Sequence, residues 1–155
     1  MKKSFLLSAA LFVVMVLSSI SVCAQDAVRW SASVKMNSKT EGVITVVGNI
    51  EKGWHVYGFN QNPDGPVSTE VKIAAPANVK FKDKLKYSPK LVSVMDDMFG
   101  INVTYWENKV TFTRKFKITK VEKTAPVVTF SITYMACNDS NCQPPKTEDI
   151  KVTLQ

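Results

Sequence analysis

The chain has 155 residues and three cysteines, and its formal net charge is +7. Its length is that of one domain with a buried core, and no internal repeat, low-complexity tract or linker divides it. After an N-terminal apolar run, no segment is long and apolar enough for a membrane-spanning helix.

Residues 1–24 have the pattern of an export signal. Two lysines precede the apolar run Phe5–Leu17, and the small residues of Val22-Cys23-Ala24 predict cleavage by signal peptidase after Ala24. The mature domain is then expected to be residues 25–155, outside the cytoplasm. Two alternatives stay open at this point: an uncleaved anchor, and a lipoprotein that carries its lipid on Cys23.

The mature sequence predicts an all-β fold. Apolar and polar residues alternate in several stretches, as they do in strands with one buried and one solvated face. These stretches are Trp30–Met36, Val71–Ile73, Val110–Ile118, Val128–Tyr134 and Ile150–Leu154, and Val103–Trp106 is a further stretch rich in β-forming residues. A tight turn is expected at Asn62-Pro63-Asp64-Gly65, and a hairpin loop at Glu107-Asn108-Lys109. Since no helical periodicity follows the N-terminal run, we expect an immunoglobulin-like antiparallel β-sandwich.

Five lysines between Lys80 and Lys90 form the densest basic run, interleaved with Phe81, Leu85 and Tyr87. A basic run with aromatic residues raises the question of nucleic-acid binding. The alternation is more typical of the solvated face of a strand, and an exported protein does not normally meet nucleic acid. No nucleic-acid partner is therefore expected.

Cys137 and Cys142 remain in the mature chain if Cys23 leaves with the signal. The four residues between them are turn formers, so the loop can bring the two Cα atoms to the roughly 5.5 Å of a disulfide. Two cysteines in an exported domain predict such a bond. Strand parity puts Tyr134 and Ala136 on the core face, so the Cys137 sulfur is expected on the opposite face, toward solvent.

The residues alone leave the role of this disulfide open. A closed loop of about six residues contributes only about 2 kcal/mol in the loop-entropy model, and an accessible short-loop disulfide can be labile. A structural staple and a redox site are equally compatible with this pattern. Zinc is disfavoured because the chain has one histidine, and Met95, Met98 and Met135 do not form a compact copper(I) ligand set. We expect no metal and no cofactor.

Three segments together resemble one family. Tyr134–Pro145 holds a tyrosine, two cysteines in a loop and a Pro-Pro pair; Gly53-Trp54-His55-Val56-Tyr57 is an aromatic segment; and Asp96-Asp97-Met98-Phe99-Gly100, followed by Tyr105, is an acidic-aromatic loop before a strand. In order and spacing they are similar to the N-terminal periplasmic domain of the thiol:disulfide interchange protein DsbD, also called the disulfide-bond corrector domain. The resemblance implies an immunoglobulin-like sandwich in the periplasm that acts as a thiol–disulfide oxidoreductase and electron shuttle.

The resemblance also implies roles for individual residues. Cys142 is expected to form the mixed disulfide with a partner, and Cys137 to resolve it. Residues 96–100 are expected to form a cap loop over the cysteines, with His55 and Tyr57 beside them, although an ordinary hairpin tip is the alternative. The carboxylates of the cap loop are expected to raise the pKa of a nearby thiol. The expected partners are a thioredoxin-like or DsbD-type membrane reductase, and oxidised periplasmic thiol proteins such as disulfide isomerases.

The sequence departs from better-known members of that family. Met98 stands where they have phenylalanine, Phe99 and His55 stand where they have tyrosine, and the intercysteine loop is one residue shorter. These changes affect how tightly the cap loop is expected to fit and how far the pKa of the thiols is expected to shift. The longest members continue into a membrane domain and a thioredoxin-like domain, so for a chain ending at Gln155 we expect a separate electron donor. A second hypothesis remains, a non-enzymatic binding module of the cell envelope with a structural disulfide.

Overall fold

The computed structural model describes residues 26–155. The predicted signal peptide, its cleavage site and Cys23 lie outside these residues. The regular structure of the described part is entirely β-strand. The strands are β1 Val28–Met36, β2 Glu41–Ile50, β3 His55–Tyr57, β4 Glu70–Ala74, β5 Val79–Phe81, β6 Lys86–Ser88, β7 Val92–Asp96, β8 Ile101–Glu107, β9 Lys109–Ile118, β10 Val127–Tyr134, β11 Ala136–Cys137 and β12 Lys146–Thr153. Between residues 26 and 155 there is no helix with the length and hydropathy that a membrane span requires.

One layer of the fold is a five-stranded antiparallel sheet. Its order is β1-β2-β9-β5, and β6 also pairs with β9. Strand β9 buries Val110, Phe112 and Phe116 on one face, as the period of two in its sequence predicts. Arg114 breaks that apolar pattern, and its guanidinium lies 4.8 Å from the centre of the Phe81 ring, where a cation on an aromatic face is favourable.

The opposing layer consists of two smaller antiparallel sheets, β12-β10-β4 and β11-β3-β8-β7. Strand β10 leads through Met135 directly into β11, and so connects the two sheets. Phe130 and Ile132 of the first sheet and Trp106 of the second belong to the same buried cluster as Phe112 of the five-stranded sheet. The predicted all-β, immunoglobulin-like antiparallel sandwich is confirmed.

The two predicted turns have different outcomes. The turn at Asn62-Pro63-Asp64-Gly65 is confirmed, with the amide of Gly65 donating to the carbonyl of Asn62 at 2.9 Å. The hairpin at Glu107-Asn108-Lys109 is wrong, because β8 and β9 belong to different sheets. Asn108 has a φ of 61°, a left-handed conformation that asparagine tolerates. The chain turns there from one layer to the other, and the Asn108 carbonyl accepts from the amide of Ile50 at 2.8 Å.

The sheet β11-β3-β8-β7 has a second buried cluster of its own. Tyr57, Val103 and Cys137 are its buried members. The partly buried residues packed on them are Val94, Phe99, Ile101, Tyr105, Met135 and Cys142. Val56 of β3 and Trp106 of β8 belong instead to the larger buried cluster between the two layers, which we call the main core. Since side chains alternate along a strand, this sheet is covered on both faces, and Cys137 lies on the face away from the main core.

Candidate redox site

The two cysteines form a disulfide at the end of a tight antiparallel loop. Their Cα atoms are 4.0 Å apart, and they face each other across an isolated β-bridge. Within the loop, the amide of Asn138 donates to the carbonyl of Asn141 at 2.9 Å. The Asn138 side-chain oxygen accepts from the amides of Ser140 and Asn141 at 2.9 and 2.7 Å. Asparagine commonly closes turns in this way, so these hydrogen bonds hold the two ends of the loop close together.

The two sulfur-bearing residues differ in exposure. Cys137 is completely buried, with a relative accessibility of 0%, whereas Cys142 is partly exposed. The expectation that the Cys137 sulfur faces solvent is wrong. Alternation along the strand does place the Cys137 side chain on the other face of the sheet from Ala136, but the second cluster covers that face. A reagent therefore reaches the disulfide from the Cys142 side.

The loop of residues 97–100 joins β7 to β8 and lies over the disulfide. Its sharp return is made by Gly100, which has a φ of 66°, a conformation that costs glycine little. Met98 Sδ is 3.4 Å from Cys142 Sγ, and the Phe99 ring packs edge-to-face on Tyr57 with centroids 5.9 Å apart. The segment is therefore both the tip of the β7–β8 hairpin and the cover of the disulfide. We call residues 96–100 the cap loop.

Asp96 organises the cap loop through its carboxylate. One oxygen accepts from the amides of Met98 and Phe99 at 2.9 and 3.2 Å. The other accepts from the Tyr57 hydroxyl at 2.8 Å. Burial and this hydrogen bond raise the pKa of Tyr57 well above its usual value of 10, so Tyr57 remains a donor at neutral pH. Asp97 is exposed, and the expectation that the two carboxylates raise a thiol pKa stays a prediction.

His55 lies beside the disulfide on the same sheet. It is directly opposite Cys137 on one side and Glu107 on the other. Its ring is 5.0 Å from Tyr57 and 4.7 Å from Tyr105, centroid to centroid. Burial lowers the pKa of His55, opposed by the negative charges of nearby carboxylates. Its Nε2 is buried and has no hydrogen-bond partner among the described residues.

An open cavity of about 290 Å³ lies between the cap loop and the intercysteine loop. Side chains of the sheet, the cap loop and the intercysteine loop all line it. They are His55, Tyr57, Val94, Met95, Asp96, Asp97, Met98, Tyr105, Glu107, Asn138 and Asp139. The cavity thus brings together the predicted residues Asp96, Asp97, Met98, His55 and Tyr57 beside the intercysteine loop, while Phe99 and Gly100 shape the cap. Residues 26–155 contain no group of three or more His, Cys, Asp or Glu side chains placed to hold a metal ion.

One polar network beside the site was not predicted. The Lys146 ammonium lies 2.8 Å from a carboxylate oxygen of Asp26 and 2.9 Å from one of Glu148. The Tyr134 hydroxyl donates to the same Glu148, and burial followed by this bond raises the pKa of Tyr134 to about 12. The network ties the first described residue to β12, which follows the Pro-Pro pair. Contacts across 120 residues leave no local signal in a sequence.

The contact of Met98 with Cys142 gives a testable prediction about the cap loop. Met98 is 51% exposed and adds little to the core, so Met98→Ala should leave the free energy of unfolding nearly unchanged. Because it removes the side chain next to Cys142 Sγ, it should speed reduction of the disulfide by dithiothreitol severalfold. The measurement is the pseudo-first-order rate of thiol appearance, followed by alkylation.

Met95→Ala is the matched control for this experiment. Met95 is 60% exposed and lines the same cavity, but the contact to Cys142 is made by Met98. The disulfide of the Met95→Ala variant should be reduced at the same rate as that of the unmodified protein. Equal rates for both variants would contradict a shielding role for Met98.

The fold and the site together define a class of protein: a β-sandwich domain with a short-loop disulfide, one sulfur buried and the other beneath a loop. The family profile described as "Thiol:disulfide interchange protein DsbD, N-terminal" matches residues 22–154. The chain therefore belongs to this family, as its motifs predicted. The family is associated with thiol–disulfide exchange in general, and the Cys137–Cys142 disulfide is the pair that such chemistry requires. No curated protein sequence matches the chain.

The chain aligns with several solved structures. The N-terminal periplasmic domain of ScsB from Proteus mirabilis aligns with a TM-score of 0.59 at 15% identity, over 86% of this chain and 49% of that chain. This chain thus spans about half the length of the ScsB structure. The reduced DsbD N-terminal domain from Neisseria meningitidis aligns with a TM-score of 0.47 at 14% identity, over 81% and 83%. A complex of the DsbD and PilB N-terminal domains from the same organism aligns with a TM-score of 0.46 at 15% identity, over 79% and 80%.

Proposed function

We propose that this domain carries electrons in the periplasm by thiol–disulfide exchange through Cys137 and Cys142. One observation carries the proposal: a single disulfide joins a fully buried sulfur to a partly exposed one beneath a loop. A structural staple has no need of this difference. An exchange site does, because a partner must attack one particular sulfur while the other leaves.

The difference in exposure supports the following order of steps. A thiolate of the electron donor attacks Cys142 Sγ, and the Cys137–Cys142 bond breaks with Cys137 leaving as the thiolate. The donor's second thiol then attacks its own sulfur in the mixed disulfide, which releases Cys142 and leaves the domain with two thiols. In the second half of the cycle, Cys142 attacks an oxidised protein, and Cys137 displaces that protein from Cys142. Two electrons and two protons pass from donor to acceptor.

The cap loop acts in this proposal as a gate. Met98 and Phe99 cover the disulfide, but the loop is tied down mainly by Asp96 and the Tyr57 hydroxyl. A protein partner that docks on the β7 side displaces the loop, whereas a small oxidant has to find the loop already open. The carboxylates of Asp96 and Asp97 would further disfavour a free thiolate between encounters.

Family membership supports the partner classes. The electron donor is a thioredoxin-like or DsbD-type membrane reductase, and the acceptors are oxidised periplasmic thiol proteins such as disulfide isomerases. The predicted export signal at residues 1–24 supports the location, and the ScsB relative is itself described as a periplasmic domain. The alternative function is a non-enzymatic envelope binding module in which the disulfide is only structural.

The reduction potential of the Cys137–Cys142 pair distinguishes these functions. We expect a value between about −180 and −270 mV, the range of dedicated exchange proteins. The measurement equilibrates the purified domain with defined thiol buffers and counts free thiols by alkylation. Circular dichroism of the reduced form is the control, since the fold should persist without the bond. A potential below about −300 mV, typical of structural disulfides, or unfolding on reduction, would favour the binding module.

A further inference from the structure

We propose that His55 is the proton acceptor for Cys137 when Cys137 resolves the mixed disulfide. The inference rests on the proposed exchange function and deepens it by assigning a catalytic role to a side chain other than the cysteines. The observation behind it is a position: the only histidine of the chain lies directly across β3–β11 from the buried cysteine.

The register places His55 directly opposite Cys137 on the neighbouring strand. Cys137 and His55 are paired residues of antiparallel strands, and the side chains of such pairs point to the same face with Cβ atoms about 4.5–5.5 Å apart. That face is the one covered by the second cluster and the cap loop. His55 also lines the cavity, together with Asn138 and Asp139 of the intercysteine loop.

The state of the imidazole suits a base. Its Nε2 is buried and has no hydrogen-bond partner among the described residues, so the protein leaves that nitrogen free to take a proton. Desolvation lowers the pKa of His55, which favours the neutral form of the ring. A neutral imidazole with one free nitrogen is the form that accepts a proton.

The other titratable groups facing His55 are less suitable. Asp96 of β7 already accepts three hydrogen bonds. Glu107 of β8 and Asp139 of the intercysteine loop are exposed to solvent, whereas Cys137 is fully buried. The hydroxyls of Tyr57 and Tyr105 have raised pKa values and remain protonated. The three carboxylates act on His55 only by favouring the imidazolium once it forms.

The chemistry balances without another reactant. In the mixed disulfide Cys142 is bonded to the partner's sulfur, and Cys137 is a thiol enclosed by apolar side chains, where ionisation is unfavourable. The imidazole takes the Cys137 proton, and the resulting thiolate attacks Cys142 Sγ. The Cys137–Cys142 bond forms, the bond from Cys142 to the partner breaks, and the partner leaves as a thiolate that takes the proton from the imidazolium or from water. In the reverse direction, the imidazolium protonates Cys137 as it leaves.

The test separates the two sulfur steps with a small aromatic disulfide, dithiobis(nitrobenzoate). The reduced domain releases one coloured thiol when Cys142 attacks the reagent, at a rate proportional to reagent concentration. It releases a second when Cys137 resolves the adduct, at a rate independent of that concentration. Stopped-flow absorbance resolves both phases across a pH series for the unmodified domain, His55→Phe, His55→Gln and Tyr105→Phe.

The expected result lies in the second phase. At pH 7, His55→Phe and His55→Gln should slow it by about 100-fold, the lower end of general-base effects, and leave the first phase unchanged. The advantage of the unmodified domain should shrink as pH falls through the imidazole pKa, because the base is then already protonated. Tyr105→Phe, which alters a ring neighbour of His55 without removing a base, should behave like the unmodified domain.

Two outcomes overturn the inference, and they differ in what they say about the function. If the second phase and its pH profile are the same with and without His55, then His55 does not carry the proton, while the exchange function stands. If the unmodified domain releases only one coloured thiol per molecule, Cys137 does not resolve adducts at Cys142, and both proposals fail. The glutamine variant keeps the comparison available if phenylalanine disturbs the packing.

Discussion

The Cys137→Ser variant should accumulate covalent complexes with its partners. In this variant, Cys142 still attacks a partner's disulfide from its partly exposed position, but no second thiol remains to break the mixed disulfide. Resolution of the mixed disulfide should therefore fall to the background rate, and the complexes should persist. The measurement is non-reducing electrophoresis of the reduced variant after incubation with a periplasmic extract, with the same samples reduced as a reference.

Cys142→Ser is the matched control for this trap. It removes one sulfur from the same disulfide, but the cysteine left behind is the fully buried Cys137. Because a buried thiol cannot reach a protein disulfide, this variant should form no complexes and should react slowly with alkylating reagents. Equal trapping by the two variants would contradict the assignment of Cys142 as the attacking residue. An absence of complexes with Cys137→Ser would favour the envelope binding module.

Local pattern predicted much of the architecture. Period-two alternation identified stretches of β1, β4, β9, β10 and β12, because each of these strands has one face toward the core, and β-rich composition identified part of β8. The central strand β2 was not singled out, although Ile44, Val46 and Ile50 share one buried face and carry the same signal. The edge strand β7 was missed as well. The buried face of β7 packs on the second cluster and not on the main core, so the strand does not have the usual alternation.

The motifs predicted which residues form the site, but not how those residues are arranged. The cysteine loop, the cap loop and the aromatic segment were identified, and the structure brings them together on one sheet. The burial of Cys137 was not predictable, because parity says which face a side chain takes but not what covers that face. The cover comes from Phe99 and Val103, which lie more than thirty residues earlier in the chain. The register of His55 against Cys137 is likewise a property of strand pairing across 82 residues.

The two apolar clusters should respond differently to the same substitution. Phe130 is completely buried in the main core, and Phe130→Ala should lower the free energy of unfolding by about 3–5 kcal/mol. Phe99 is partly buried in the second cluster and packs on Tyr57. Phe99→Ala should cost only about 1 kcal/mol, but it should open the cap loop and speed reduction of the disulfide by at least as much as Met98→Ala.

The two readouts are urea denaturation of the oxidised domains and their reduction by dithiothreitol without denaturant. Circular dichroism first checks that both variants are folded, because a typical domain stability of roughly 5–15 kcal/mol exceeds the expected loss in Phe130→Ala only above its lower end. Phe130→Ala should then have the reduction rate of the unmodified protein, because its loss of stability does not involve the cap loop. If the reduction rates of the two variants instead follow their loss of stability, the disulfide is reached by general unfolding, and the cap loop is not the barrier that protects it.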